Sequence, residues 1–408
     1  MSGPPAPGQS AAVSFLAPTD EQRELCLAMR RFVGEQIVPL EAELDPDASE
    51  VDRDTFAALV ALTKQMGLHN LGVPEEHGGP GVDTVTHALL VMEMSQHRAG
   101  LYSPCYGAFG GTGIAQLYDA DRQQRERYLY PALRGEKRIF FGLTEPSGGS
   151  DPANTILTTA VRDGDDWIIN GSKVFISDAH RADCGLVFAR TGGAGSGRGG
   201  ISCFIVDTDT PGFAVTRVIP TLRAGSCPTE LSFTDMRVPG ANLLGEVGGG
   251  FALANEALVR TRIPYSAGCV GVAMKAQSLA LDYVKQRSVF GKTLAEHEGV
   301  QWMLVDNELD IRNAALLTLH AAARADRGLP FRTETAMAKI HATEASARVV
   351  DRSMQLFGGS GVTKDLPFER WFRELRIRRI GEGTNETQRM LVSRDLLRAA
   401  RYKAIWEA

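Results

Sequence analysis

The 408-residue sequence predicts an α+β multidomain protein: a helical N-terminal domain, a β middle domain and a C-terminal helical bundle, in that order. Three observations carry this. From about Thr19 to Gly135 the start signals and spacings are those of helices. From about Phe140 to Pro239 short β-prone runs alternate with turn residues. From Gly250 onward helical spacing returns in longer segments. The boundaries drawn are 1–18 as a flexible tail, 19–138 as the helical domain, 139–248 as the β domain and 249–408 as the bundle. A chain of this length exceeds one ordinary domain and can bury a sizeable core.

Each zone rests on local chemistry. The first fourteen residues are small and rich in Pro, Gly and Ser, without the charged and then apolar run of a secretory signal. Thr19, with Gln22 three residues on, is the pattern of a capping box, and Asp121 can cap a helix over QQRERYLYPAL. The loop HGGPGVD at 77–83 separates helical segments. The β zone contains TILTTAV, DWIIN, KVFIS, GLVFAR, ISCFIVD, FAVTRVI and ELSFTDMRV, with Asp163-Gly164, Asn170-Gly171 and the glycines of 192–200 as turns. Farther on, Trp302, Val305, Leu309 and Leu316 share one helix face, and three or four long helices fit before the C-terminus, as a bundle requires. Residues 195–200, GSGRGG, satisfy G-x-G-x-x-G on paper. Strands flank them and no helix follows, so they read as a hairpin loop and not as a dinucleotide site.

Composition excludes several classes. Apolar residues are 43% and charged residues 23%, as in an average soluble protein, and a net charge of -5 speaks against a nucleic-acid binder. Six scattered cysteines include no C-x-x-C pair and eight histidines no H-x-x-x-H pair, so neither a disulfide framework nor a metal site is expected. No apolar run reaches the roughly 18 residues of a membrane span. The expected compartment is the cytoplasm.

Five stretches could carry chemistry. In Leu143–Asp151 (LTEPSGGSD), Thr144 and Ser150 offer hydroxyls, while Gly148 and Gly149 let backbone N–H groups approach a phosphate or a heteroaromatic edge; a rigid turn is the alternative. In Lys173–Ser177, Phe175 and Ser177 share a strand face, where a ring and a hydroxyl could cover a flavin, or simply half-bury a strand. In Gln286–Lys292, Arg287 and Lys292 could bind a pyrophosphate and Phe290 an adenine, or form a charged helix terminus. Met354–Gly359 ends a helix on paired glycines. In Ile380–Asn385, Thr384 or Asn385 can cap the last helix, with Glu382 between two glycines; alone, such an acid reads as a solvated first-turn residue.

Taken together and in this order, the stretches resemble the acyl-CoA dehydrogenase family. T-E-P-x-x-G-S-D stands at Thr144 to Asp151, R-x-x-F-G-K at Arg287 to Lys292, Q-x-x-G-G at Gln355 to Gly359 and E-G-T at Glu382 to Thr384. The close of the β zone, Phe233 to Pro239 with Leu244-Gly245, is similar too, and the resemblance runs from about Thr19 to Arg398. It implies a β-barrel-like middle domain, a four-helix C-terminal bundle and a homotetramer (or homodimer), with FAD between middle domain and bundle. Phe141, Leu143, Thr144, Gly149, Ser150, Phe175 and Ser177 would then hold the flavin half. Arg287, Phe290, Gln355 and Gly359 would meet the FAD of a neighbouring subunit, and Thr384 and Glu386 would close the site. The implied reaction is α,β-dehydrogenation of an acyl-CoA, with Glu382 as α-proton base and flavin N5 as hydride acceptor. Its carbonyl would be held by a flavin ribityl hydroxyl and the Glu382 N–H, an oxyanion hole. Ser150, Arg262 and Gly383 would touch substrate, and an electron-transferring flavoprotein would be the acceptor.

Some relatives carry the base on a bundle helix, where this chain has Thr261 and no acid, so Glu382 is the candidate. Departures are Phe175 for Trp, Ser177 for Thr, Glu298 for Gln, Val259 for an acid, and Gly381 for an aromatic before the base. The last would widen the pocket for a branched or cyclic acyl group. The alternatives are an acyl-CoA oxidase or a flavin monooxygenase on this fold, or a non-catalytic partner subunit.

Overall fold

Residues 18–111, 115–193, 197–223, 225 and 227–402 are described by the computed structural model. The expected tail therefore lies outside the described residues except for Pro18. The N-terminal helices begin where the capping chemistry says. Helix α1 (Asp20–Phe32) starts from the Thr19–Gln22 box, then passes through a π turn at Val33–Ile37 into α2 (Val38–Glu43). Asp52 caps α3 (Arg53–Gln65) and Asp83 caps α4 (Thr84–Met94). The Asp121–Gln124 box opens α5 (Arg122–Gln124), which continues through a π turn to α6 (Tyr130–Leu133).

A buried acid ties this region together. Glu41 accepts hydrogen bonds from His97 Nδ1 at 2.7 Å, the backbone N–H groups of Arg98 and Ala99, and the Tyr106 hydroxyl. Burial alone would raise its pKa. The His97 contact and the two N–H donors outweigh that and bring it down to about 2.

The middle domain is one mixed sheet. Its strands are β1 (Ile139–Gly142), β2 (Thr159–Asp163), β3 (Asp166–Ser177), β4 (Cys184–Arg190), β5 (Ile201–Asp207), β6 (Phe213–Val218), β7 (Pro228–Pro239) and β8 (Leu243–Leu244). The order is β6-β7-β3-β2-β4-β5-β8, with β1 parallel to β4; α7 (Pro152–Thr155) lies between β1 and β2. Inward side chains such as Phe140, Trp167, Val187, Phe204, Leu231 and Phe233 meet in one cluster. Asp163-Gly164 turns β2 into β3 as expected. Asn170-Gly171 does not turn: it lies inside β3, where the register with β7 shifts. At Gly171, φ is +149° and an added Cβ would fall 2.4 Å from Thr158 Oγ1, so glycine serves a close approach here rather than a hairpin. Residues 197–200 form a short 3₁₀ turn joining antiparallel β4 and β5, in keeping with a loop reading of that glycine cluster.

The C-terminal region comprises α8 (Gly250–Gln286), a hairpin of β9 (Ser288–Val289) and β10 (Lys292–Thr293), α9 (Glu298–Asp326), α10 (Arg332–Phe357), α11 (Phe368–Arg378) and α12 (Asn385–Arg398). Helices α4, α8, α9 and α10 share one core, in which small residues such as Ala267, Ala273, Ala338 and Ala342 allow close helix approach. The apolar face noted on α9 does not pack within this bundle. Trp302 is 63% exposed, and Val305, Leu309 and Leu316 are exposed with it; α9 buries Asn307, Ile311, Ala314 and Thr318 instead.

Candidate active site

The glycines beside Glu382 decide its conformation. Glu382 has φ +57°, a left-handed backbone that costs a non-glycine residue about 1–2 kcal/mol. Three contacts hold it there. Arg262 Nε donates to the Glu382 carbonyl at 3.0 Å, Lys339 Nζ donates to Gly383 O at 2.9 Å, and Thr261 Oγ1 reaches Glu382 Oε2 at 3.1 Å. Lys339, fully buried on α10, also binds Arg379 O at 3.2 Å and Asn385 Oδ1 at 2.7 Å, so one ammonium fastens both ends of the loop. Burial pushes its pKa down to about 8. Gly383 has φ +85°, a backbone that favours glycine, and an added Cβ would also meet Gln388 Nε2 at 2.6 Å. Thr384 caps α12 by accepting from the Thr387 N–H at 3.2 Å, as expected. The Glu382 N–H has no protein acceptor among the described residues.

Glu382 stands on a cleft of 1210 Å³ walled by the β domain on one side and by α8 and α12 on the other. The sequence-predicted Phe141, Leu143, Thr144, Gly149, Ser150, Phe175 and Ser177 all line it, as do Arg262, Gly383 and Thr384. Their loop is braced from beneath. Glu145 accepts from the Leu157 and Thr158 N–H groups, and Lys173 Nζ reaches Glu145 Oε1 at 2.7 Å and Phe188 O at 2.6 Å. Desolvation brings the Lys173 pKa down to about 8. Phe175 is 62% exposed with φ +57°, its ring presented to the cleft.

Other expected site residues lie elsewhere on this chain. Arg287 and Phe290 sit at the β9–β10 hairpin, whose tip leaves Phe290 98% exposed. Gln355 and Gly359 are exposed where Gly358, at φ +59°, stops α10. Glu386 is exposed on the first turn of α12 and does not line the cleft. Sequence reasoning missed Lys339 and the contact of Thr261 with the base, along with Arg332, Arg394 and Gln388 on the cleft wall.

The cleft is large. Its volume exceeds the usual few hundred to 1,000 Å³ of a single small-ligand site. On its wall, Arg262 and Gln388 each carry a buried polar atom, Nη1 and Oε1, without a hydrogen-bond partner among the described residues. Among the described residues no cluster of His, Cys, Asp or Glu could hold a metal ion, and no helix is long and apolar enough to cross a membrane.

Comparison with known proteins agrees along most of the chain. Residues 19–136, 140–236 and 248–397 match the family profiles described as the N-terminal, middle and C-terminal domains of acyl-CoA dehydrogenase. A Clostridium acetobutylicum protein named "Acyl-CoA dehydrogenase, short-chain specific" is 36% identical over 93% of this chain and 99% of its own. The structure of butyryl-CoA dehydrogenase from Megasphaera elsdenii superposes with a TM-score of 0.82 at 32% identity, covering 93% of this chain and 99% of that one. A chain from the structure described as "Electron transferring flavoprotein of Acidaminococcus fermentans" gives 0.83 at 34% identity, with 93% and 99% covered.

Proposed function

The chain belongs to the acyl-CoA dehydrogenase family, and from that premise we propose that it converts an acyl-CoA thioester to the 2-enoyl-CoA, with Glu382 as the base and FAD as cofactor. The observation that supports this most is the carboxylate of Glu382, held in a strained backbone on the wall of the large cleft. FAD, when bound, supplies the two-electron acceptor for the hydride that leaves the β-carbon. Phe141, Leu143, Thr144, Gly149, Ser150, Phe175 and Ser177 would hold its flavin half, and Thr384 with Glu386 would close the site. Residue limits of 19–138, 139–248 and 249–408 divide the chain on either side of the cleft.

The protein's own residues account for the proton. A thioester α-carbon is a weak acid, so its proton leaves only if the carboxylate is placed at the carbon and the enolate oxygen is stabilised. The free N–H of Glu382 is a donor suited to that oxygen. Glu382 takes the α-proton, a step that a positioned base accelerates by roughly 10²–10⁴. Arg262 and Lys339 fix the loop, so little reorganisation accompanies the transfer. Ser150, Arg262 and Gly383 would contact the thioester arm.

Assembly and electron transfer complete the reading. The exposed face of Trp302, Val305, Leu309 and Leu316 supports a homotetramer or homodimer, as does Phe290 on its hairpin. In such an assembly Arg287, Phe290, Gln355 and Gly359 would meet the adenosine end of a neighbour's FAD. An electron-transferring flavoprotein would reoxidise the enzyme in the cytoplasm. Anaerobic mixing of the purified yellow protein with butyryl-CoA is expected to bleach the long-wavelength flavin band and yield the enoyl-CoA; failure with every acyl-CoA tried would overturn this function.

A further inference from the structure

The space left by Gly381, next to the base, is already filled. An added Cβ there would lie 2.8 Å from Tyr265 Oη, so the glycine accommodates a phenol instead of widening the pocket. Tyr265 is four residues beyond Thr261 on α8 and therefore on the same helix face. Along that helix Ala254, Asn255, Leu258 and Arg262 line the cleft, Tyr265 comes next, and Cys269 one turn later is wholly buried. Tyr265 thus stands directly behind Gly381, which lines the cleft beside the base.

That ring is held on every side. Its hydroxyl donates to Arg378 O at 3.2 Å. The Arg378 guanidinium lies 4.0 Å from the Tyr265 ring centre and 4.3 Å from that of Tyr102, and Arg223 covers Tyr102 at 4.1 Å. Desolvated cation–π contacts are stronger than exposed ones, so the stack resists displacement of the ring. Glu374, near both arginines and hydrogen-bonded to Arg370 at 3.0 Å, supplies the buried counter-charge.

We propose that Tyr265, locked by the Arg378–Tyr102–Arg223 stack, is the residue that limits acyl-chain length, and that the substrates are short acyl thioesters. This rests on the dehydrogenase reading. Thr261 touches the base, and four residues of helix rise by roughly 6 Å, which leaves room for only a few methylenes before the phenol.

The test uses the FAD-loaded enzyme, straight-chain acyl-CoAs of increasing length, and calorimetric Kd values for the matching enoyl-CoAs. A methylene that fits a pocket is worth about 10–200-fold, so the wild type is expected to lose at least tenfold in kcat/KM between butyryl- and octanoyl-CoA. Tyr265→Val is expected to recover at least tenfold for octanoyl- relative to butyryl-CoA, with the Kd values following. Gly381→Ala is expected to impair every chain length, and adding Tyr265→Phe, which removes the clashing oxygen, to restore activity. An unchanged chain-length preference in folded Tyr265→Val would overturn the proposal. Should that variant fail to fold, the absence of rescue in the Gly381→Ala/Tyr265→Phe pair would do so. A wild type that binds enoyl-CoAs with this length dependence but is bleached by no acyl-CoA would count against dehydrogenation, not against Tyr265.

Discussion

Replacing Thr261 by Val should lower kcat/KM without disturbing the fold. Thr and Val have nearly the same shape, so the change removes one hydroxyl on α8. That hydroxyl lies 3.1 Å from Glu382 Oε2 and 3.2 Å from Leu258 O, and its single proton is shared between them. A hydrogen bond to a charged group is worth about 1.5–3 kcal/mol; half-time occupancy reduces this to roughly 1 kcal/mol. The bond orients the carboxylate, so its loss leaves the base less well placed at the α-carbon. At 1.36 kcal/mol per factor of ten, kcat/KM should fall about fivefold. The assay is kcat/KM for butyryl-CoA in wild type, Thr261→Val and Thr261→Ser. The serine variant keeps the donor and should follow wild type. A Thr261→Val enzyme as active as wild type, or a Thr261→Ser enzyme that loses as much, refutes the argument that this hydroxyl positions the base.

Two further outcomes follow from the buried charges. Lys339→Met leaves Arg379 O, Gly383 O and Asn385 Oδ1 without their shared donor; a loss of about 1–3 kcal/mol is expected, as for buried acceptors left unpaired. Denaturant titration should read that loss, and kcat should fall more than KM changes if the loop positions the base. Glu41 has a folded pKa of about 2, below its ordinary 4.5, so its stabilisation is fully present above pH 4.5 and is lost as pH falls toward 2. The stability gap between wild type and Glu41→Gln should therefore shrink across that window, by up to about 3 kcal/mol; a gap that stays constant with pH contradicts the assignment.

What could be read from the sequence was local. Thr19, Asp121 and Thr384 cap helices because a side-chain oxygen and an N–H three residues on meet whatever the rest of the chain does. The cleft-lining Thr144, Ser150 and Glu382 stand out because glycines beside them mark where backbone must bend or approach a ligand, and Phe175 and Ser177 because they share a strand face. What could not be read was long-range. Thr261 meets Glu382 across 121 residues, and Lys339 meets Gly383 across 44, with no periodicity to announce either contact. Gly381 suggested open space, yet the phenol that fills it comes from a different helix. Asn170-Gly171 was read as a turn from its composition, whereas the neighbouring Thr158 decides what the glycine is for. Spacing on α9 identified an apolar face correctly but cannot say whether it meets its own bundle or another chain.

The central claim, that Glu382 removes the α-proton, is tested most directly by anaerobic single-turnover mixing of butyryl-CoA with wild type and Glu382→Gln, alongside calorimetric binding of the enoyl-CoA. The account expects the glutamine variant to keep its flavin and bind the thioester within a few-fold of wild type, yet to bleach at least 10²-fold more slowly. Bleaching at the wild-type rate in the glutamine variant would mean that another group takes the proton.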